Sequence, residues 1–259
     1  MKRAYIVIAL VAFLLVDCAR VPITGRRQVN LLPESQLMDM SLTSYKQFLT
    51  ENKTVSNSDK NTRMVQEVGN RIANAVESYL KRHGAGSRIS GYKWEFNLVD
   101  DPTVNAWAMP GGKVVVYSGL LPVAEDEAGL AVVMGHEVAH AIARHGNERM
   151  SQMMLTQMGG IALAVAVKDK PSQTQDMFLA SYGLGSTLGT LKFSRDHEAE
   201  ADRMGLTFMA MAGYDPDRAV GFWQRMSQAG GQKPPEFLST HPSDDTRIRN
   251  IQKYLPEAR

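Results

Sequence analysis

Residues 125–150 read EDEAGLAVVMGHEVAHAIARHGNERM. Leu130, Val132, Val133, Met134 and Val138 surround two histidines and a glutamate, so the pattern predicts one long buried helix. His136 and His140 stand four residues apart and share a helix face about one turn apart, where two imidazoles can reach one zinc ion. Glu137 is no ligand in this geometry. Its carboxylate points at the zinc-bound water, whose proton it can take as general base. A buried helix with two satisfied histidines would leave the same trace, so a third ligand has to decide.

Two routes to that ligand exist. One needs Gly at the third position after the motif and His at the sixth, but those positions hold Ala143 and Gly146, with His145 one residue early. This route fails, and His145 is expected at the surface near the helix end. The other takes a glutamate from a later helix. Residues 194–202 read SRDHEAEAD, in which Glu198 and Asp202 are four apart on one face. Glu198 can bind the ion, and Asp202 can accept the free N–H of a ligating histidine. Glu200 is out of phase and points elsewhere. Alone, such an acidic run reads as a solvated helix face; after an HExxH helix the metal reading prevails.

HExxH followed by E-x-x-A-D resembles the zinc metallopeptidase family of HtpX, the CAAX prenyl proteases, OMA and the periplasmic proteases BepA and LoiP, nearest the periplasmic lipoprotein members. Asn105-Ala106-Trp107-Ala108, Gly112, Tyr117-Ser118-Gly119-Leu120, Phe193-Ser194-Arg195 and His241-Pro242 carry the likeness further, over roughly residues 60 to 255. The resemblance implies a zinc metalloendopeptidase with one zinc ion on His136, His140 and Glu198, Glu137 as base and Asp202 behind the ligands. It also implies that Asn105 to Met109 is an edge strand pairing with extended substrate backbone. His241 resembles a loop histidine near the metal that stabilises the oxyanion or blocks the fourth zinc position; a plain cap before a helix starting at Pro242-Ser243 is the third reading. Arg195 either stabilises the oxyanion or pairs with an acidic neighbour.

The remaining chain sets the frame. It has 259 residues, 44% hydrophobic and 22% charged, with a net charge of +2. This is an ordinary globular balance, with no basic field to argue for nucleic acid. Residues 1–17 read as an export signal: basic Lys2 and Arg3, then an apolar run from Ala4 to Val16, short for a membrane span. Cys18, the one cysteine, follows Leu15-Val16-Asp17 and is expected to be lipidated, although Asp17 stands where a small residue is usual. Residues 18–33 are read as a tether and 34–259 as one peptidase domain. With Ala19 after the cysteine, the segment resembles a bacterial lipoprotein signal, which implies a location in the bacterial envelope, lipid-anchored to the outer membrane and facing the periplasm.

Helices are expected from Glu34 to about Thr50 and from Met64 to Tyr79. His83 is read as structural or incidental, not as a ligand. Strands are expected at 92–99, Asn105–Met109 and Lys113–Tyr117, the last two around a Pro110-Gly111-Gly112 turn. The fold class is therefore α+β: a mostly helical gluzincin-type domain with a small antiparallel sheet beside the active-site helix. Met-rich residues 150–167 suit either a core helix or a cover over the cleft, with Gly183, Gly185 and Gly189 able to let a cover move. The resemblance to the peptidase family implies unfolded or misassembled envelope proteins as substrates, in a protein quality control role, with outer-membrane assembly machinery as a partner class. Two rivals stand beside this: a chaperone or binding protein that keeps the zinc fold, and a structural zinc protein, against which Glu137 argues.

Overall fold

A computed structural model describes residues 19–158, 194–229, 235–241 and 245–259. The expected signal, the lipidation site Cys18, the glycines 183, 185 and 189, Phe193 and Pro242-Ser243 lie outside these residues, as does the 159–167 part of the Met-rich stretch.

The chain begins with a short hairpin, β1 (Ala19–Arg20) against β2 (Arg27–Gln28). Two helices follow, α1 (Glu34–Glu51) and α2 (Lys60–Arg82). In α2, Val65, Val68, Ile72, Val76 and Leu80 recur at helical intervals and are fully buried. Asp59 caps it by accepting from the Asn61 and Thr62 amides. His83 closes α2 exposed, its ring 2.8 Å from the Tyr79 carbonyl one turn back. Its ring also stacks on Tyr79, a structural placement away from the metal-ligating cluster, within the expected reading of a structural or incidental residue.

Three strands come next: β3 (Glu95–Val99), β4 (Ala106–Met109) and β5 (Lys113–Tyr117). The fold is α+β as expected, but the sheet is mixed. Its order is β3-β5-β4, with β5 parallel to β3 and antiparallel to β4. The directions alternate along the chain, so placing the third strand in the centre makes it run parallel to the first. β5 is buried at every position, the two-sided burial of a central strand. β4 lies at the edge, as expected, and packs against the helix that carries HEVAH.

After a short turn of helix, α3 (Leu121–Ala124), the chain enters α4 (Glu127–Ala143), capped by Asp126. Every residue of α4 from Gly129 onward is buried, as the all-round apolar pattern requires. The predicted single helix over 125–150 breaks at Arg144, which takes a left-handed conformation (φ 60°), and α5 (His145–Met158) leaves in a new direction. Glu34, 3.2 Å from the Arg144 guanidinium, helps to hold that break. Met150, Met153 and Met154 on α5 are buried with Trp107 and Tyr45, so this part of the Met-rich stretch is core.

The remaining helices are α6 (Arg195–Met211), α7 (Arg218–Gln228), α8 (Glu236–Thr240) and α9 (Asp245–Ala258). α6 crosses α4 at Gly135 and Gly205, where a Cβ on Gly205 would sit 2.9 Å from the His136 amide nitrogen. Two glycines let the backbones touch, which brings the carboxylates of α6 onto the histidine face of α4. Among the described residues no helix is long and apolar enough to cross a membrane.

Candidate metal centre

The break of α4 after His140 and the glycine crossing converge on one point. His136 and His140 project from α4, Glu198 from the first turn of α6, and His241 from the end of α8. All four are buried, and one ligand atom from each lies within 4.8 Å of the others. His136 Nε2 is 3.1 Å from His140 Nε2 and 3.4 Å from Glu198 Oε2. His140 Nε2 is 3.3 Å from Glu198 Oε1, and His241 Nδ1 is 3.0 Å from the same oxygen. Tetrahedral zinc with ligands at about 2.0–2.1 Å has edges of about 3.3 Å. The spacing therefore fits one zinc ion, and the donor set of three imidazoles and one carboxylate is a zinc set.

Glu137, next to the first histidine, is not one of the four. It is buried, its Oε1 makes no hydrogen bond among the described residues, and His241 Nε2 stands 3.6 Å away. Burial pushes its carboxyl up from the ordinary value. Glu198 behaves oppositely: burial would raise it, but His241, His136 and His140 hold it well below the usual carboxylate range. Burial holds His140 neutral, as a ligand must be.

Each motif histidine is fixed from behind, in different ways. Asp202 Oδ1 accepts from His136 Nδ1 at 2.9 Å, which turns Nε2 toward the cluster. Asp202 also accepts from Arg247 Nη2 at 2.7 Å, while Arg247 Nη1 lies 3.1 Å from Glu198. The Arg247 guanidinium sits 3.4 Å over the Trp223 ring, and Trp223 packs edge-on against His136. Behind His140 stands His145, with Nδ1 to Nδ1 at 2.9 Å. His145 Nε2 donates in turn to Glu200 at 2.9 Å, and burial brings its pKa down to about 4.

His145 is thus fully buried, not at the surface as expected, because the left-handed residue at Arg144 turns it back onto His140. Glu200 is not among the four clustered ligands and faces away from them, yet it is buried and bonded to His145. Arg195 is exposed at the start of α6. Asn105 leads into β4, and Ala106, Trp107 and Ala108 are buried within it. Arg247, His145, His197, Glu148 and Arg26 were not singled out as parts of the site. Only His145 and His197 carried a signal, as extra histidines beside the two motifs.

The model of peptidase family M48 matches residues 60–255. "Mitochondrial metalloendopeptidase OMA1" of Schizosaccharomyces pombe is 39% identical over 242 residues, covering 92% of this chain and 66% of its own. The protein of the same name from Saccharomyces cerevisiae is 36% identical over 184 residues, 66% of this chain and 50% of its own. "Beta-barrel assembly-enhancing protease" of Yersinia pestis is 30% identical over 198 residues, 74% of this chain and 38% of its own. The chain therefore spans two thirds or less of these relatives. The expected nearness to the periplasmic members is revised, since the fission-yeast mitochondrial relative matches at higher identity and over more of the chain.

Proposed function

Because the chain belongs to peptidase family M48, we propose that it is a zinc-dependent endopeptidase that cuts unfolded or misassembled proteins. The observation that carries this reading is Glu137, a buried carboxylate beside a three-histidine, one-glutamate set to which it contributes no donor. A bound zinc ion would supply Lewis acidity to a water and to the scissile carbonyl. Glu137 takes the water's proton and delivers it to the departing amine. Asp202 and Arg247 hold His136 and Glu198 in place while this happens. Substrate backbone adds to the edge strand β4 through Asn105 to Ala108, a mode that reads main chain and favours loose sequence specificity.

The envelope setting rests on the sequence Leu15-Val16-Asp17-Cys18 and on the Yersinia relative, whose name ties it to β-barrel assembly. In this reading Cys18 carries a lipid that holds the protein at the outer membrane. Labelling with a palmitate analogue should mark the wild type and spare Cys18→Ser; equal labelling of both rejects the anchor. The activity itself is tested by digestion of casein with the purified full chain. Chelator should abolish cleavage and zinc should restore it. Zinc binding without cleavage would favour the rival reading, a chaperone that keeps the peptidase fold.

A further inference from the structure

The segment before α1 lies outside the family match, which begins at residue 60, and was read as a tether. In the structure it grips the far side of the metal centre. Gln28 Nε2 donates to the Ala143 carbonyl at 2.7 Å, at the C-terminus of α4. Leu31 N donates to Ser151 Oγ, and Asn147 donates back to the Leu32 carbonyl, both at 2.9 Å. The turn of the β1–β2 hairpin carries Thr24 and Arg26. Thr24 Oγ1 bonds Glu200, and Arg26 Nε donates to the same carboxylate at 2.7 Å. The other two Arg26 nitrogens grip Glu148 at 2.8 and 2.7 Å. Glu148 in turn accepts from His197, whose ring stacks on His145 with centroids 4.4 Å apart.

The hydrogen bonds around His140 have one consistent direction. His140 offers Nε2 to the cluster, so Nδ1 carries the proton and donates to His145 Nδ1. His145 then holds its own proton on Nε2 and donates it to Glu200. Without Arg26, Glu200 would be a buried charge held only by the neutral groups of His145 and Thr24. His136 has a carboxylate directly behind it, whereas His140 has a histidine and then a carboxylate anchored by the hairpin.

Resting on the zinc-peptidase reading, we propose that Arg26, acting through Glu200 and His145, is a positioning residue for the metal ligand His140, so that residues 19–32 are a working part of the zinc site. The hairpin fixes the acceptor at the end of the chain, and that acceptor fixes the tautomer and ring angle of the ligand. Partners bonded directly to a ligand typically change metal affinity about 10–100-fold; Glu200 and Arg26 act through such a partner, His145.

The test uses the full chain with zinc and with cobalt as a spectroscopic probe. Zinc dissociation constants are measured by chelator competition for wild type, Arg26→Gln, Glu200→Gln and Arg26→Lys, beside Asp202→Asn as the scale and Arg27→Ala as a control in the same hairpin. Arg26→Gln and Glu200→Gln should weaken zinc by up to about tenfold, the lower end of the range for directly bonded partners, and shift the cobalt spectrum. Arg26→Lys should recover only part of this, because lysine cannot span both carboxylates. Arg27, exposed in β2, should be silent. Where Glu200→Gln fails to fold, Thr24→Val takes its place. A purely structural hairpin would lower the metal-free melting temperature and leave zinc affinity and cobalt spectrum at wild-type values; that result overturns the proposal. A wild type that neither binds zinc nor cleaves overturns the peptidase reading and this proposal with it. A wild type that does both while Arg26→Gln matches it overturns the proposal alone.

Discussion

His241 Nδ1 lies 3.0 Å from Glu198 Oε1, so a residue from the end of α8 joins the cluster of donors built by α4 and α6. Phe237 stacks on its ring at 4.4 Å and 18°, which fixes its plane. With zinc bound, a side chain held this way would compete with water and substrate for the fourth position. His241→Ala is expected to raise kcat/KM on an unstructured peptide. If the unblocked form is about a tenth of the population, the rise is about tenfold. A fall of about 10²-fold with zinc retained would instead assign His241 to the oxyanion.

Glu137→Gln removes a base without removing a ligand. Zinc content by metal analysis should stay at one per chain while peptide cleavage drops by about 10²–10⁴-fold. Cleavage near wild type would reject the mechanism. Loss of zinc would show that Glu137 supports the ligands and not the water.

Glu148 gives the protein an acid sensitivity of definite sign. Burial would raise its pKa, but Arg26 and His197 hold it well below the ordinary 4.5. A carboxyl depressed on folding stabilises the fold fully above its unfolded value and loses that contribution as pH falls below it. The metal-free protein should therefore lose melting temperature as pH falls below about 4.5, and Glu148→Gln should lose less over the same range. Parallel curves for the two would show that the Arg26–Glu148 pair carries no such linkage.

The ligands that share one helix turn were legible in the sequence, because an i, i+4 spacing fixes geometry whatever the rest of the chain does. This covers the ligand pair His136 and His140, and the ligand Glu198 with Asp202, which is not a ligand but holds His136 from behind. His241 came from resemblance alone, since nothing local ties a loop 101 residues past His140 to the metal. The role of His145 is not legible because helical periodicity carries on smoothly through Arg144, whose left-handed turn is braced by Glu34 and the Arg88 carbonyl, both distant in sequence. Arg26 and Arg247 exert their effects across 174 and 45 residues, on Glu200 and Asp202, and their own surroundings in sequence give no sign of it. The parallel pairing of β3 and β5 does have a signal in the sequence. Val114-Val115-Val116 is an unbroken β-branched run, which belongs at the centre of a sheet and not at an edge.

Gly205 sets how closely α6 can approach α4, and that approach places Glu198. A Cβ there would meet the His136 amide nitrogen at 2.9 Å, the Gly135 carbonyl carbon at 3.0 Å and the His136 Cα at 3.1 Å. All three are backbone atoms of a buried helix, so no side chain can swing aside, and the helices themselves must part. Overpacking of this kind costs about 1–3 kcal/mol. Glu198 lies seven residues before Gly205 on the same face, so parting the helices also draws its carboxylate away from His136 and His140. Gly205→Ala should therefore lower the melting temperature and weaken zinc binding together. Gly221→Ala is the matched control, a helix glycine in α7 where a Cβ meets only the Arg225 side chain at 3.4 Å. That change should be neutral or mildly stabilising, because alanine favours the helix and restricts the unfolded chain. Melting curves and chelator competition on both variants decide the matter. Wild-type zinc affinity in Gly205→Ala would mean that the ligand geometry does not depend on the helix crossing.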